Sequence, residues 1–308
     1  VEMRDRYFDE IDFGGGRVLE IGCGTGAVTA ALAARADVSD AVGVDPSPHF
    51  LEIARSRDTA ASFDLGDARA LDYDDGTFDV VIFHTVLCHV PEPDEAIAEA
   101  VRVVRSGGQV AVFDGDYCST SLSVSPDDPL APCAYEYMAA NCHDLWFMRT
   151  CPARLRKAGL ELVSSLLHGF TDSDYFLPFA ERAVDLYLDL GKTDDDGAQA
   201  LRGEVARRYE SGEFYGHMLY ASHVARTAHT TGHPPGTGSL LQLDITARKP
   251  PVEARHSRRD RVPGVLRGFV RWRRKDAGRA EEVRELWIGC PRCDQASGRE
   301  GDRHFELD

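Results

Sequence analysis

The chain has 308 residues, 43% of them hydrophobic and 28% charged, which are the proportions of an ordinary globular protein with a sizeable core. Its formal net charge of −16 is unevenly spread, because residues 249–308 hold 15 basic and 11 acidic side chains whereas residues 1–248 hold 20 basic and 40 acidic ones. An acidic excess of that size repels phosphate backbones, so nucleic acid is excluded as an expected partner.

Charges occupy the first ten residues, VEMRDRYFDE, where a secretory signal would place an apolar segment. No apolar run approaches the ~20 residues that span a bilayer, so no stable membrane insertion is predicted. The eight cysteines are mostly scattered singly, unlike the dense framework of a small secreted domain. We therefore expect a cytoplasmic protein with reduced thiols, and the oligomeric state stays open.

The first part of the chain alternates between predicted strands and helices. The strands are expected at residues 17–22, 41–45, 62–68, 78–86 and 109–116. Helices are expected to begin at Ala27, at Pro48 behind the N-cap Ser47, and at Pro93, with the last helix ending at Gly107–Gly108. This alternation predicts an α/β fold built on a doubly wound, mostly parallel sheet.

After Asp116 the alternation stops. Residues 117–150 show helical spacing, many aromatic side chains and no clear strand, and a second helical insert is expected at about 174–210. A helix before Gly159 leads into a sixth strand, and the last strand is expected at 213–227, with 239–249 as a competing candidate. The prediction is a Rossmann-like sheet of seven strands with two helical lid insertions.

The composition changes at Pro250, where a basic segment punctuated by proline and glycine begins. We therefore predict one domain over residues 1–249 and a basic, irregular C-terminal extension over residues 250–308. No internal repeat is found.

The stretch VLEIGCGTG, residues 18–26, indicates a buried strand that turns sharply into a helix, with backbone brought close to a ligand. Gly22, Gly24 and Ala27 also fit the loose dinucleotide fingerprint, and Asp45 lies where a ribose-binding acid is expected. The glycine pattern alone therefore leaves two ligands open, a dinucleotide and S-adenosylmethionine (SAM).

Two carboxylates favour SAM. Glu20 lies two residues before the first glycine, where it can meet a cationic amino acid moiety and would repel a pyrophosphate. Asp67 follows the third strand between Gly66 and Ala68, where it can accept a hydrogen bond from an adenine amino group while the small neighbours leave room for the ring. A sheet that closes with an antiparallel hairpin also suits the SAM interpretation.

With VLEIGCGTG, VGVDPS, GDARAL, FDVVIFHTVLCHV and RVVRSGGQVAVFD in this order, the chain resembles the class I SAM-dependent methyltransferases, strongly over about 17–165 and more weakly to about 227. Within them it is similar to the branch that includes ubiquinone- and menaquinone-biosynthesis enzymes and many small-molecule methyltransferases. The resemblance implies SAM as the cofactor and methyl transfer to an O, N or C atom of a small, apolar or aromatic metabolite. A SAM-binding protein without turnover and a methyltransferase acting on protein or RNA are the alternatives.

The resemblance also implies a cofactor site at the ends of the strands. Its expected members are Glu20, Gly22, Cys23, Gly24, Thr25, Gly26, Asp45, Pro46, Ser47, Gly66, Asp67, Ala68, His84 and Thr85. Among these, Asp45 is expected to accept hydrogen bonds from both ribose hydroxyls. The backbone N–H groups that follow the glycine turn are expected to favour the methionine carboxylate.

Because a sulfonium already activates its methyl group, positioning of the acceptor can carry much of the catalysis and a base is optional. The candidate catalytic residues are His84, His89, Asp114 and Asp116. For His89 a helix-capping role is the alternative, and for Asp114 the alternative is a carboxylate that merely points into the cavity.

The aromatic residues of the inserts indicate an apolar or aromatic acceptor, and the candidate substrate-binding residues are Tyr117, Trp146 and Tyr215. Ordinary packing within the lid is the alternative for each. No metal site is predicted, because the single CxxC at Cys290–Cys293 lacks a second pair of ligands and the isolated cysteines, such as Cys142, are typical of small buried hydrophobes.

Overall fold

The structure is a computed structural model that describes residues 2–228. Within these residues the strands are β1 (Gly16–Ile21), β2 (Val38–Asp45), β3 (Ser62–Leu65), β4 (Phe78–His84), β5 (Val104–Ser121), β6 (Leu160–Thr171) and β7 (His217–Thr227). The helices are α1 (Glu2–Phe8), α2 (Ala27–Ala33), α3 (Pro48–Arg55), α4 (Pro93–Val103), α5 (Ala131–Asn141), α6 (Phe147–Lys157), α7 (Ser173–Asp189) and α8 (Asp195–Glu210).

The described strands form one seven-stranded sheet in the order β3-β2-β1-β4-β5-β7-β6. The pairs among β1 to β5 are parallel, whereas β7 is antiparallel to both β5 and β6. This confirms the predicted α/β class, the seven strands and the antiparallel closure. The chain leaves β1 toward β2 on one side and returns as β4 on the other, so a crevice opens at the carboxyl ends of these strands.

Alternate side chains of the central strands enter two different cores, as the period of two along a strand requires. On one face, residues such as Leu19, Val81 and Val112 pack with apolar residues of α4 and α6. On the other face, Val80 and Phe113 pack with residues of the chain's N-terminal segment and of α2. Strands buried on both faces explain why β4 is a continuous apolar run.

Helix α1 is not among the predicted elements, yet it supplies part of the second core. Tyr7 and Phe8 are 0% and 2% exposed, and they pack against Phe113 and neighbouring strand residues. Met3 and Tyr7 lie four residues apart, which is the spacing of one helical face. This short amphipathic pattern was the available signal for the helix.

Helices α5, α7 and α8 form a third core together with residues at the start of β7. Helix α5 lies in the first predicted insert, and α7 and α8 occupy the second. The prediction that 117–150 contains no strand is wrong, because β5 continues to Ser121. This last part of β5 runs beside β7. Asp116 pairs with Leu219 and Ser121 pairs with His217, and the register is irregular between these two pairs.

The predicted helix end at Gly107–Gly108 is also wrong, because α4 ends at Val103 and the next residue already pairs with Phe78 of β4. A Cβ on Gly108 would lie 2.6 Å from the carbonyl oxygen of Asp79, so this glycine permits a close approach between strands. The third strand ends at residue 65 rather than 68. The competing strand 239–249 and the extension 250–308 lie outside the described residues.

None of the helices within residues 2–228 combines the length and the apolar character that crossing a bilayer requires.

A buried ion pair ties α8 to the segment before α5. Arg208 Nη1 lies 2.7 Å from Asp128 Oδ2, and the two side chains are 5% and 0% exposed. Asp128 also accepts hydrogen bonds from the backbone N–H groups of Val124 and Leu130. The pair therefore fixes the helical layer to the end of β5.

We expect Asp128→Ala to lower the free energy of unfolding by about 3 kcal/mol, because the buried Nη1 of Arg208 and the N–H groups of Val124 and Leu130 lose their acceptor, while Glu204 still pairs with Nε of Arg208. The control is Asp185→Ala, which removes the exposed partner of Arg202 and should cost under about 1 kcal/mol. Urea unfolding of both variants is the measurement. An equal loss of unfolding free energy in the two variants would show that the buried Arg208–Asp128 pair stabilises the fold no more than an exposed pair does.

Candidate functional site

The turn between β1 and α2 is built from three glycines that adopt positive φ angles, +75° at Gly22, +52° at Gly24 and +79° at Gly26. A Cβ on Gly22 would lie 2.5 Å from Val86, and one on Gly26 would lie 2.6 Å from Phe63. Both the backbone angles and the lack of space therefore require glycine here. The turn places bare backbone at the carboxyl end of β1, as the sequence predicted.

Asp45 ends β2 and holds the glycine turn from the side. Its Oδ2 accepts a hydrogen bond from the N–H of Gly24 at 2.9 Å, and its Oδ1 accepts one from the N–H of Ser47 at 2.9 Å. Ser47 in turn caps α3 by accepting from the N–H of Phe50. Each carboxylate oxygen keeps acceptor capacity, because a carboxylate has about four lone-pair sites. Burial raises the pKa of Asp45, and the two backbone donors oppose that rise.

Glu20 lies beneath the glycine turn and is 2% exposed. The hydroxyl of Thr29 on α2 donates a hydrogen bond to its carboxyl group. Burial raises the pKa of Glu20 to about 8, and the nearby charge of Asp45 adds to the rise. Glu20 is therefore largely protonated at neutral pH in the ligand-free protein, and a cation brought close to it would favour its ionised form.

The remaining members of the turn differ in their surroundings. Cys23 is buried among residues of α3 and Phe63. The carbonyl oxygen of Thr25 accepts a hydrogen bond from Nε of Arg57 at 2.6 Å. Pro46 is exposed beside Asp45. These positions frame the predicted site, and their contacts with a cofactor stay predictions.

The segment after β3 lies beside the end of β2, where the N–H of Gly66 donates to the carbonyl oxygen of Asp45 at 3.2 Å. Ala68 packs against the main core. The carboxylate of Asp67 is held by Arg69, with Nη2–Oδ2 and Nε–Oδ1 distances of 2.7 and 3.0 Å. An adenine amino group would therefore share this carboxylate with an arginine.

His84, the last residue of β4, is buried in a stack of rings. Its imidazole lies 4.7 Å from the ring of Phe113, at an interplanar angle of 16°. Burial lowers the pKa of His84 to about 3, and the positive charge of Arg4 contributes. The imidazole is therefore neutral at physiological pH and is a weak base. This environment disfavours the predicted catalytic role of His84 and leaves its predicted contact with the cofactor open.

Thr85 follows at the end of β4 with a φ of +56°, a value that is strained for a β-branched residue. Its N–H donates to the carbonyl oxygen of Phe113 at 2.7 Å, and its hydroxyl donates to the carbonyl oxygen of His84 at 2.7 Å. These hydrogen bonds hold the strained backbone in place. Such strain is concentrated at ligand-binding sites, which agrees with the predicted location.

Tyr7 of α1 is a site residue that the sequence analysis missed. Its ring lies 5.9 Å from that of His84. The Tyr7 hydroxyl and Nδ1 of His84 are both buried, and neither has a hydrogen-bond partner among the described residues. Buried polar atoms are normally paired, so two neighbouring side chains with unpaired polar atoms at a strand end favour a bound ligand or water.

Asp114 near the carboxyl end of β5 is fully buried and meets residues from other elements. It accepts hydrogen bonds from the N–H of Gly115 at 2.8 Å and of Cys88 at 3.4 Å, and it is hydrogen-bonded to Tyr117. Burial raises its pKa, and the charge of His89 opposes that rise. His89 lies with its ring 6.0 Å from the Tyr117 ring. Three of the predicted residues, Asp114, His89 and Tyr117, thus come together.

Asp116 belongs to a different arrangement, although it lies only two residues further along β5. Nε of Arg149 lies 2.9 and 3.1 Å from its two carboxylate oxygens, and Nη2 lies 3.0 Å from Oδ2. The Arg149 guanidinium thus occupies both carboxylate oxygens of Asp116. The structure therefore separates Asp116 from the other catalytic candidates.

The other two aromatic candidates are only partly enclosed. Trp146 is 52% exposed, with the guanidinium of Arg149 4.8 Å from its ring, and Tyr215 is 48% exposed beside His217. Tyr117, in contrast, is largely buried beside Asp114. Substrate contacts of Trp146 and Tyr215 stay predictions.

The structure also joins residues that the sequence analysis treated separately. One ligand atom each from Cys88, His89 and Cys142 lies within 4.8 Å of the others. The sequence analysis predicted no metal site and took Cys142 as an isolated cysteine. The available signal was a repeated Cys-His dipeptide, at 88–89 and at 142–143.

The raised pKa of Glu20 makes stability depend on pH. The folded protein holds this proton up to about pH 8, whereas the group's ordinary pKa is 4.5, so the free energy of unfolding should fall as pH rises between these values. Glu20→Gln should flatten this dependence, since glutamine does not titrate. Thermal unfolding followed across that range is the measurement. The exposed Glu52→Gln is the control and should keep the parent's slope, and an unchanged slope in Glu20→Gln would contradict the buried proton.

Comparison with known proteins agrees with this geometry, since residues 19–112 match the methyltransferase domain family. The methyltransferase GfsG of Streptomyces halstedii is 31% identical over 168 residues, which cover 52% of this chain and 59% of that protein. The demethylmenaquinone methyltransferase of Clavibacter sepedonicus is 35% identical over 130 residues, covering 41% of this chain and 49% of that protein. The alignments thus span less than two thirds of either relative.

Among solved structures, a Bacillus halodurans C-125 protein assigned to the methyltransferases shares the fold, with a TM-score of 0.54 and 20% identity over 74% of this chain and 100% of that one. The fold, the glycine turn with Asp45 beside it, and the family match therefore agree. Residues 19–112 therefore belong to the methyltransferase domain family, and the fold agrees with that match.

Proposed function

We propose that this chain is an enzyme that transfers the methyl group of SAM to an O, N or C atom of a small, apolar or aromatic acceptor. The observation that carries the proposal is the glycine turn held by Asp45 at the point where the strand order reverses. Ligands of open α/β sheets bind in the crevice at this point.

The residues present fit SAM in three ways. The turn is bare because side chains at Gly22 and Gly26 would collide with Val86 and Phe63. Asp45 is already oriented by two backbone donors and keeps free lone pairs for vicinal hydroxyls. The unpaired hydroxyl of Tyr7 supplies a buried polar atom that a ligand can satisfy.

SAM supplies an activated methyl group on a sulfonium. In the proposed site, Asp45 binds the ribose hydroxyls, and the glycine turn lies along the amino acid part of the ligand. Glu20 compensates the ammonium group from beneath the turn, with loss of its proton. Asp67, although held by Arg69, contributes its remaining acceptor capacity to the adenine amino group.

The acceptor side of the proposed site is formed where β4, β5 and α5 meet. The buried Asp114 and the partly buried His89 and Tyr117 lie there, and the Tyr117 ring suits an apolar acceptor. Burial raises the pKa of Asp114, which makes this carboxylate a stronger base than an exposed one. Asp114 is therefore better placed to take an acceptor's proton than His84 or Asp116.

The net negative charge of residues 1–248 supports a small acceptor rather than a nucleic acid. Residues 1–248 carry 40 acidic and 20 basic side chains, which opposes binding of RNA. Demethylmenaquinone methyltransferase, one of the relatives, is named for a quinone-type small molecule. The methyl acceptor is accordingly proposed to be an aromatic or quinol-like metabolite, enclosed by the helical layer of α5, α7 and α8 acting as a lid.

Asp45→Asn should weaken binding of SAM and of its demethylated product at least about tenfold, because asparagine cannot offer two charged acceptor oxygens to vicinal hydroxyls. Isothermal titration calorimetry is the measurement. Asp40→Asn is the matched control, since Asp40 lies on the same strand with a side chain 43% exposed and paired with Arg17. Undiminished affinity in Asp45→Asn, or tighter binding of a nicotinamide dinucleotide than of SAM, would contradict the proposed cofactor.

Turnover is tested with methyl-tritiated SAM against a panel of phenols, quinols, amines and thiols, alongside total cell protein and RNA. We expect label in a small, solvent-extractable product, and a loss of at least about a hundredfold in Asp114→Asn with SAM affinity retained. Label confined to protein or RNA would refute a small acceptor. SAM binding without transfer to any member of the panel would instead favour a binding protein.

A further inference from the structure

A cluster of soft ligands lies at the end of β4, beside the proposed acceptor site. Cys88 and His89 belong to the turn that follows β4, and Cys142 follows the last residue of α5. One ligand atom from each lies within 4.8 Å of the other two. Both thiols are free, with Cys88 buried and Cys142 partly exposed.

The backbone holds the two segments of the cluster together without help from their side chains. The N–H groups of His143 and Asp144 donate to the carbonyl oxygen of Cys88 at 2.9 and 3.2 Å. The N–H of Cys88 lies 3.4 Å from Oδ2 of Asp114. The positions of the three ligands are therefore set by the fold, which is the condition for a pre-formed site.

We propose that Cys88, His89 and Cys142 bind one divalent metal ion of the zinc class, with a fourth coordination position left open. Two thiolates and an imidazole form a ligand set that Zn²⁺ uses in sites with an exchangeable fourth ligand. With Zn–S distances of about 2.3 Å and Zn–N distances of about 2.0 Å, tetrahedral ligand atoms lie about 3.5–3.8 Å apart. The cluster reaches this spacing with side-chain movements on the order of 1 Å.

The surroundings of His89 match those of a metal ligand. Nδ1 of His89 lies 3.0 Å from the carbonyl oxygen of Asn141, so Nδ1 donates its proton there and Nε2 keeps a lone pair for the metal. In the metal-free protein the Cys88 thiol donates to Oδ1 of Asp114 at 3.5 Å, and metal binding replaces this hydrogen bond with a metal–thiolate bond.

Binding balances in charge and protons. Each of the two thiols gives up one proton to solvent, and the two thiolates with a neutral imidazole neutralise the charge of the divalent ion. No oxidant or reductant takes part. The proposal goes beyond methyl transfer and does not rest on it, because its test measures metal content rather than activity.

The test uses the full chain with Cys290→Ser and Cys293→Ser, so that the second cysteine pair cannot hold metal. The reduced protein is loaded with Zn²⁺, dialysed and assayed for zinc by emission spectrometry, and it is loaded in parallel with Co²⁺ for absorption spectra. We expect one equivalent of zinc per chain, together with a thiolate-to-cobalt charge-transfer band that tetrahedral coordination intensifies.

Cys142→Ser and His89→Gln should each lower zinc affinity at least about tenfold and weaken the cobalt spectrum. The matched control is Cys133→Ser, which removes a buried free thiol of α5 outside the cluster and should retain the metal. Cys88 is fully buried, so a Cys88→Ser variant risks failing to fold. The test therefore uses Cys142→Ser, because Cys142 is partly exposed.

Three outcomes would overturn the proposal. The first is no zinc retained by the Cys290→Ser, Cys293→Ser protein. The second is equal retention by Cys142→Ser and Cys133→Ser. The third is a Cys88–Cys142 disulfide that remains, by mass spectrometry, in protein kept under mild reductant. That result would identify the cluster as a thiol pair rather than a metal site.

Discussion

The carboxylate of Asp45 is the contact on which the site depends. It joins the end of β2 to the glycine turn through Gly24 and to the cap of α3 through Ser47. The N–H of Gly22 meanwhile donates to the carbonyl oxygen of Val44 at 2.7 Å. These hydrogen bonds hold a turn whose three glycines have no side chains, so their backbone stays open toward the crevice.

A second constraint comes from the acidic groups buried around that turn. Glu20 lies beneath it and Asp45 beside it, and burial raises the pKa of both. The ligand-free protein therefore holds a proton that a cationic ligand could displace. On the acceptor side, Asp114 is likewise buried. Acidic groups with raised pKa values thus lie at the glycine turn and at the proposed acceptor site, as expected where charge is moved or matched.

Strands β1, β2 and β4 were predictable because their apolar runs are buried on both faces and end at clear turn residues, whereas the short β3 is mostly exposed. The extension of β5 was not predictable, because residues 117–121 are mostly small and polar and are strand only through their pairing with β7. The glycine turn and Asp45 were recognisable from spacing. The proximity of Cys88 and Cys142 was not recognisable, because it depends on tertiary hydrogen bonds between segments that are distant in sequence. The low pKa of His84 likewise reflects packing by Tyr7 and Phe113, which lie far from it in sequence.

Helices α7 and α8 both lie in the single connection between β6 and β7, which are neighbouring antiparallel strands. Strand pairing fixes the ends of that connection, and its helices pack with α5 and the segment before it rather than with β1, which leads into the glycine turn. Exchange of this segment between homologues should therefore change the proposed lid while β1 and the glycine turn keep their fold. The connection between β6 and β7 is therefore the segment to replace when variants with a different acceptor specificity are selected.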